Sequence, residues 1–523
     1  MTWLVDIFVG MMIAVVVLAL LARRLHIPYP IFFVIGGTLL GFIPGLPKIH
    51  LNPQLIFLFV LPPLLFPAAL FTSWRDFRAN LRPISFLAIG LVLFTTVAVA
   101  YIAQYFFHLP LAAGFVLGAI VSPPDAIAAT AIAQRLKVPS RIITILEGES
   151  LVNDATALIA YRFGVIAVAT GTFSLADASV QFVLVSAGGI GAGLLIGWLA
   201  QQFHRRVEDA PIEITVSLLT PFAAYLLAER LHVSGVLAVV TAGLYLGWRL
   251  PELLSFQTRL RGGPVWEMLE FILNGFVFIL IGLELPEMVQ RLSVDHISFR
   301  VLLWYGLIIT VAVIVIRILW VIPAVYLPRF FSKKLRLRDP YPKWQHVAIL
   351  AWTGMRGVVS LAAALALDEK FPGRDLILFL TFAVILATLV VQGLSLPFLI
   401  RWLGIEDDGI LEKEEHVARL EANRAALARL TAITDADAGR TEALHRLRIE
   451  YEDHILQLES AETAGADAPL RLFSSEYEQL SHQALQSERR TILNLRNAGT
   501  ISDEVLRRIQ RDIDLAEARL YHG

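Results

Sequence analysis

The sequence predicts an all-α polytopic membrane protein with a separate helical tail, and three observations carry that prediction. First, 56% of the 523 residues are hydrophobic, only 17% are charged, and mean hydropathy is +0.66, which excludes an ordinary water-soluble enzyme. Second, windows of roughly twenty apolar residues, enough to cross ~30 Å of hydrocarbon, can be drawn thirteen times before residue 404. Third, composition changes there: residues 1–404 carry a net charge of +8 and residues 405–523 carry −9.

The thirteen windows span 3–22, 29–45, 54–72, 84–106, 110–134, 141–170, 176–202, 211–230, 233–248, 264–289, 298–327, 344–367 and 376–403. The first has no charged leader or cleavage-site pattern, so it reads as a retained helix and not a removed signal peptide. Small-residue seams mark the second window (Gly37, Gly41, Gly45) and the seventh (Gly189, Gly193, Gly197), and are expected to pack helices closely within one chain. If alternate loops face the cytoplasm, one side holds 19 Lys and Arg, including Arg75, Arg78, Arg135, Arg141 and the run Arg329 to Lys343, against six on the other. The positive-inside rule then places the N-terminus outside and the C-terminus in the cytoplasm.

Two windows are interrupted. In the fifth, Val121-Ser-Pro-Pro-Asp-Ala-Ile sets Pro123 beside Pro124, removing two amide donors, and a continuous helix cannot run through such a pair undisturbed. In the twelfth, Gly354 and Gly357 flank Arg356. These windows are seven apart, one in each half of a six-plus-six arrangement around the seventh. Matching breaks of this kind point to two inverted six-helix repeats and to a binding site near the bilayer midplane.

The sixth window carries Glu147, Glu149 and Asp154 within eight residues, with Ser150 and Asn153 among them. An ionised carboxylate at bilayer depth costs at least ~2.5 kcal/mol, so such groups mark ion pathways, proton relays or buried partners. Ser150 and Asp154 are four apart and share a helix face, and Asp125 follows the Pro-Pro break. Two carboxylates, a hydroxyl and freed carbonyls make an oxygen-rich nest for a hard alkali cation. We expect an alkali cation at Asp154, Ser150 and Asp125; the duller alternative for Asp125 is a cap on the restarting helix. Glu149 needs a positive partner, and Arg356 and Arg317 are the available intramembrane cations, better explained as holding helices in register than as net stabilisation. Arg162 reads as a residue near a helix end whose charge snorkels. Glu147, Glu270 and Glu284 are left open between a funnel and interfacial placement.

The run Glu149-Ser150-Leu151-Val152-Asn153-Asp154, the segment Pro124-Asp125-Ala126-Ile127-Ala128 and Gly354-Met355-Arg356-Gly357 together resemble the monovalent cation:proton antiporters, specifically the sodium/proton exchanger branch. The resemblance covers residues 1 to about 404 and implies a transmembrane exchanger domain, with 405–523 as a cytoplasmic helical tail, coiled-coil-like in spacing, as in bacterial plasma-membrane members. It implies that Asp154 alternately carries a cation or a proton, that Ser150, Asn153 and Asp125 line or shape the site, that Glu149 pairs with Arg356, and that the protein is a homodimer. Asn153 beside Asp154, where a second aspartate is the alternative, resembles the electroneutral branch and implies one cation per proton. The chain departs from the family at Pro124, where relatives commonly have Thr, and at Pro67, where they often carry an acid.

Sodium is the expected substrate; a potassium/proton antiporter of the same fold is the alternative the sequence does not separate, and lithium discrimination is equally open. An ion channel or sensor is a further rival, without a Thr-Val-Gly-Tyr-Gly type filter to support it. An intramembrane aspartyl protease lacks its expected Gly-x-Gly-Asp signature around Asp125 and Asp154. No enzyme activity, cofactor or nucleic-acid partner is expected; the partners are monovalent cations, protons and the lipid bilayer. The chain contains no cysteine, which excludes disulfides and thiolate chemistry. The tail keeps helical apolar spacing, with breaks near Asp435 to Gly439, at Gly465 and at Gly499, and reads as a solvated regulatory or assembly region.

Overall fold

The computed structural model describes residues 2–25, 28–43, 56–172, 174–294, 298–405, 409–433, 438–463 and short stretches between 481 and 516. All regular structure among them is helical, and the chain forms two compact units, Met1–Asp407 and Asp408–Gly523.

The first unit contains α1 (Thr2–Leu25), α2 (Tyr29–Gly41), α3 (Leu61–Phe71), the short α4 (Trp74–Ala79) and α5 (Leu81–Ser85), α6 (Val92–Phe107), α7 (Leu111–Val121) and α8 (Ile127–Arg135). There follow α9 (Ser140–Thr170), α10 (Leu175–His204), α11 (Ala210–Arg230), α12 (Gly235–Arg249), α13 (Phe256–Val294), α14 (Phe299–Phe331), the short α15 (Lys333–Arg338), α16 (Trp344–Trp352), α17 (Val358–Leu365) and α18 (Arg374–Trp402). Each of the thirteen apolar windows contains helix. Among the described residues, eight segments are long and apolar enough to cross a bilayer; the others are shorter or interrupted, and the interruptions are the informative part.

Both expected breaks are present. Helix stops at Val121 and resumes at Ile127 across the two prolines, and stops at Trp352 and resumes at Val358 across the glycine-flanked Arg356. A third irregularity had no clear sequence signal. Phe86–Leu91 forms a wide π turn between α5 and α6, which frees backbone carbonyls. The indole Nε1 of Trp320 donates to Phe86 O at 3.0 Å and the same ring stacks on Phe94 at 5.0 Å, so α14 satisfies the bulge.

Apolar packing forms two cores within this unit. One joins α1, α2, α6 to α8, α13, α14 and α16 to α18; the other joins α3, α10, α11 and α12. Helix α9 contributes to both, through Ile142, Ile145 and Leu146 to the first and Leu151 and Ala155 to the second. The residues Glu147 to Asp154 therefore sit where the two cores meet. The glycine seams are spent inside the chain: a Cβ on Gly193 of α10 would lie 2.4 Å from Ala238 O of α12, and one on Gly37 of α2 would lie 2.1 Å from Ile279 O of α13. Gly45 lies outside the described residues.

In the second unit α19 (Ile410–Thr431) and α20 (Ala438–Thr463) form an antiparallel helical hairpin. Arg424 Nη2 meets Glu459 Oε1 at 2.8 Å, and Arg448 Nη2 donates to Leu430 O at 2.9 Å. The expected breaks at Gly465 and Gly499 lie outside the described residues. Exposed ion pairs of this kind contribute little each, so the hairpin rests mainly on its apolar spacing.

Candidate functional site

The two unwound segments lie against each other. Asp125 N donates to Met355 O at 2.6 Å, and Arg356 Nε donates to Val121 O at 3.0 Å. A helix that stops inside the molecule leaves C-terminal carbonyls without intrahelical partners, and these carry the negative end of the helix dipole. Each first half meets a guanidinium at that end. Arg356 serves α7 through Val121 O, and Arg317 of α14 serves α16 through Leu350 O, at 3.2 Å from Nε and 3.0 Å from Nη2.

The second halves begin with the opposite need. At the start of α8, Ile127 N donates to Asp125 Oδ1 at 2.9 Å and Ala126 N donates to Ser150 Oγ at 3.3 Å. Asp125 is therefore a cap on the restarting helix through one oxygen. Its other oxygen lies against Gly357, where a Cβ would stand 1.8 Å from Asp125 Oδ2. No side chain fits there without moving the carboxylate or separating the two segments. Gly357→Ala is expected to cost about 1–3 kcal/mol, the usual penalty of overpacking a filled interior. A thermal midpoint in detergent equal to that of the unaltered protein would count against this contact.

Five elements, α3, the unwound segment leading into α8, α9, α13 and α17, enclose a cavity of about 400 Å³ lined by Asp125, Glu147, Ser150, Asp154, Glu270 and Ser360, with Thr130 and Gln134 toward the end of α8. Asp154 is only 6% exposed, and its carboxylate makes no hydrogen bond or ion pair among the described residues. Leu61, Leu64, Leu65 and Pro67 supply an apolar wall from α3.

Several expectations change at this point. Asn153 does not line the cavity; it is fully buried and its Nδ2 donates to Pro124 O at 2.8 Å, tying α9 to the unwound segment. The i,i+1 neighbours on a helix point some 100° apart, so Asn153 and Asp154 face different surroundings. Glu149 does not pair with Arg356. Its two oxygens take Arg317 Nη1 at 2.5 Å and Nη2 at 2.9 Å in a bidentate bridge, each side chain 1% exposed. Arg356 turns instead to Val121 O and Gly354 O, because its place inside the break gives it unpaired carbonyls close by. Backbone oxygens expected to help hold an ion are already accepting hydrogen bonds at Pro124, Val121, Leu350 and Met355. Arg162 is bridged to Glu229 of α11 at 2.7 Å beside a second cavity of about 290 Å³.

Ser360, Thr130 and Gln134 were not singled out from the sequence. A signal for Ser360 existed, since it lies three residues after Gly357 and so one turn further along the same helix face.

The arrangement is a buried, acid-lined, oxygen-rich cavity at the crossing of two broken helices. The family described as sodium/hydrogen exchanger, transmembrane, matches residues 11–402. An uncharacterised Na+/H+ exchanger of Mycobacterium tuberculosis is 35% identical over 98% of this chain and 96% of that protein. A sodium, potassium, lithium and rubidium/H+ antiporter of Bacillus subtilis is 35% identical over 75% of this chain and 61% of its own length. In fold, the structure of a sodium/proton antiporter of Methanocaldococcus jannaschii superposes with a TM-score of 0.56 at 19% identity, covering 76% of this chain and 99% of that one. The chain thus belongs to the sodium/hydrogen exchanger family of transmembrane transporters.

Proposed function

We propose that the protein is a secondary active antiporter that exchanges Na+ for H+ across the bacterial plasma membrane, with both ions competing for Asp154. The observation that carries this reading is a carboxylate without a partner among the described residues, 6% exposed, facing a cavity that other oxygen groups share. An uncompensated anion at such a depth is costly, by roughly 2.5–3.5 kcal/mol on insertion scales. Either a proton or a cation removes that cost, and the two cannot do so together. The empty, charged site is disfavoured from crossing, so each excursion carries one ion or the other, and exchange is coupled without a covalent step. Asp125 and Ser150 complete the site, while Asn153, Glu149, Arg317 and Arg356 hold its helices in place. Glu147 and Glu270 line the approach and concentrate cations.

Residues 1–404 carry the exchange and residues 405–523 form the cytoplasmic tail; the N-terminus is outside and the working unit is a homodimer. With Asn153, not a second aspartate, beside Asp154, one cation moves per proton. A broader cation range, including K+ and Li+, is favoured by one relative, whose name records sodium, potassium, lithium and rubidium as its ions.

In proteoliposomes with an imposed pH gradient, external Na+ is expected to dissipate the gradient, with Li+ and K+ setting the selectivity order. An imposed membrane potential should leave the initial rate unchanged. A rate that follows the potential rules out one-for-one exchange, and no cation-driven proton flux in folded, inserted protein rules out antiport.

A further inference from the structure

Several buried threonines on the helices of this protein share one habit. Thr96, Thr220, Thr310, Thr381 and Thr388 each donate to the carbonyl four residues earlier, at 2.7 or 2.8 Å. That is the ordinary way for a hydroxyl to be satisfied in a helix surrounded by apolar side chains. Ser360 breaks the habit. It is 2% exposed, and its Oγ has no hydrogen-bond partner among the described residues.

The reason is positional. Ser360 is in the first turn of α17, and four residues back lies Arg356, inside the unwound segment, where the carbonyl does not follow helical geometry. The usual acceptor is therefore out of place, and the residue borders the Asp154 cavity. A buried hydroxyl left unsatisfied is destabilising, so such a group in a native interior calls for an occupant that the protein atoms do not supply. Its location specifies what kind. Gly357, one turn earlier on the same face, is the residue pressed against Asp125. Ser360 thus borders a cavity that also holds Asp125, Glu147, Asp154 and Glu270, and a hydroxyl among carboxylates offers one more neutral oxygen to a hard cation.

We propose that Ser360 is a ligand of the transported cation, contributed by the second broken helix, so that the site is closed from both breaks and not from α8 and α9 alone. The inference rests on the antiporter reading of the same cavity. A neutral oxygen added to carboxylates adjusts how tightly a dehydrated cation is held without adding charge, so it acts on apparent affinity and on the order among Li+, Na+ and K+ while leaving the proton's binding group untouched.

The test compares full-length wild type, Ser360→Ala and Ser360→Thr in two assays: cation-driven proton flux in proteoliposomes, and thermal stabilisation of the purified protein by Na+, Li+ or K+. Ser360→Ala should raise the half-saturating Na+ concentration about fivefold or more in both assays, as expected for one lost polar ligand, and should compress the selectivity order. Its midpoint without cation should be equal or higher, because no hydroxyl is left unsatisfied. Ser360→Thr, which keeps the oxygen, should restore the affinity. Unchanged half-saturation and selectivity in Ser360→Ala overturn the proposal, as does a lower cation-free midpoint with affinity intact, which marks a purely structural hydroxyl. Wild type that neither moves protons nor is stabilised by any cation would instead defeat the antiporter reading itself, so the two failures are distinct.

Discussion

Replacing Asp154 by asparagine is expected to reduce cation-driven proton flux to the level of empty vesicles while leaving the protein folded. The side chains are nearly equal in size, and the carboxylate forms no hydrogen bond or ion pair among the described residues, so no protein contact depends on its charge. Removing an unpaired buried anion should, if anything, raise the thermal midpoint. Function should respond in the opposite direction, because the amide neither binds a proton near neutral pH nor attracts a cation. Two unit charges 4 Å apart at an effective dielectric of 20 attract by about 4 kcal/mol, close to a thousandfold in binding. The pairing of lost exchange with equal or greater stability is what separates a transport group from an architectural one. Retention of more than about a tenth of wild-type flux would move the exchanging role elsewhere in the cavity, with Asp125 the first candidate.

Much of this site was legible because bilayer burial makes polar residues conspicuous. Adjacent prolines at 123 and 124 announced one break, a glycine-flanked arginine the other, and the run from Glu149 to Asp154 stood out in an apolar window. What sequence spacing does not give is the direction each group takes once the helices cross. Asn153 and Asp154 are neighbours in sequence, yet one clamps Pro124 O and the other faces the cavity. Arg317 and Arg356 were equal candidates for Glu149 in charge and depth. The choice was made by which broken-helix end each guanidinium reaches, a property of tertiary packing. Ser360 was hidden for the same reason: in a continuous helix it would be satisfied by its own backbone, and only the break upstream leaves it free.

The Glu149–Arg317 bridge should show the second large effect, and in a double-mutant cycle. Both side chains are 1% exposed and meet through two contacts, while Arg317 also donates to Leu350 O at the end of α16. Bidentate geometry of this sort is strong once formed, but its desolvation cost offsets most of the attraction, so the intact pair adds little net stability. Breaking it is different. Glu149→Gln leaves a buried guanidinium without its counter-charge, and Arg317→Met leaves a buried carboxylate and a Leu350 carbonyl met only by Thr353 Oγ1 at 3.3 Å, each expected to cost about 3–5 kcal/mol. The double variant removes both charges and should cost only about 1–3 kcal/mol, mostly for the Leu350 carbonyl. Measured by denaturant unfolding in detergent, the double loss should therefore fall well below the sum of the single ones. Glu149→Gln combined with Arg356→Gln should show a much smaller coupling, since Arg356 spends its donors on Val121 O and Gly354 O. The reverse ranking would mean that Glu149 pairs with the arginine of the break and that Arg317 merely caps α16. The bridge matters for function through position: Arg317 joins the broken end of α16 to the helix that carries Asp154, so loosening it lets the two halves of the site drift apart.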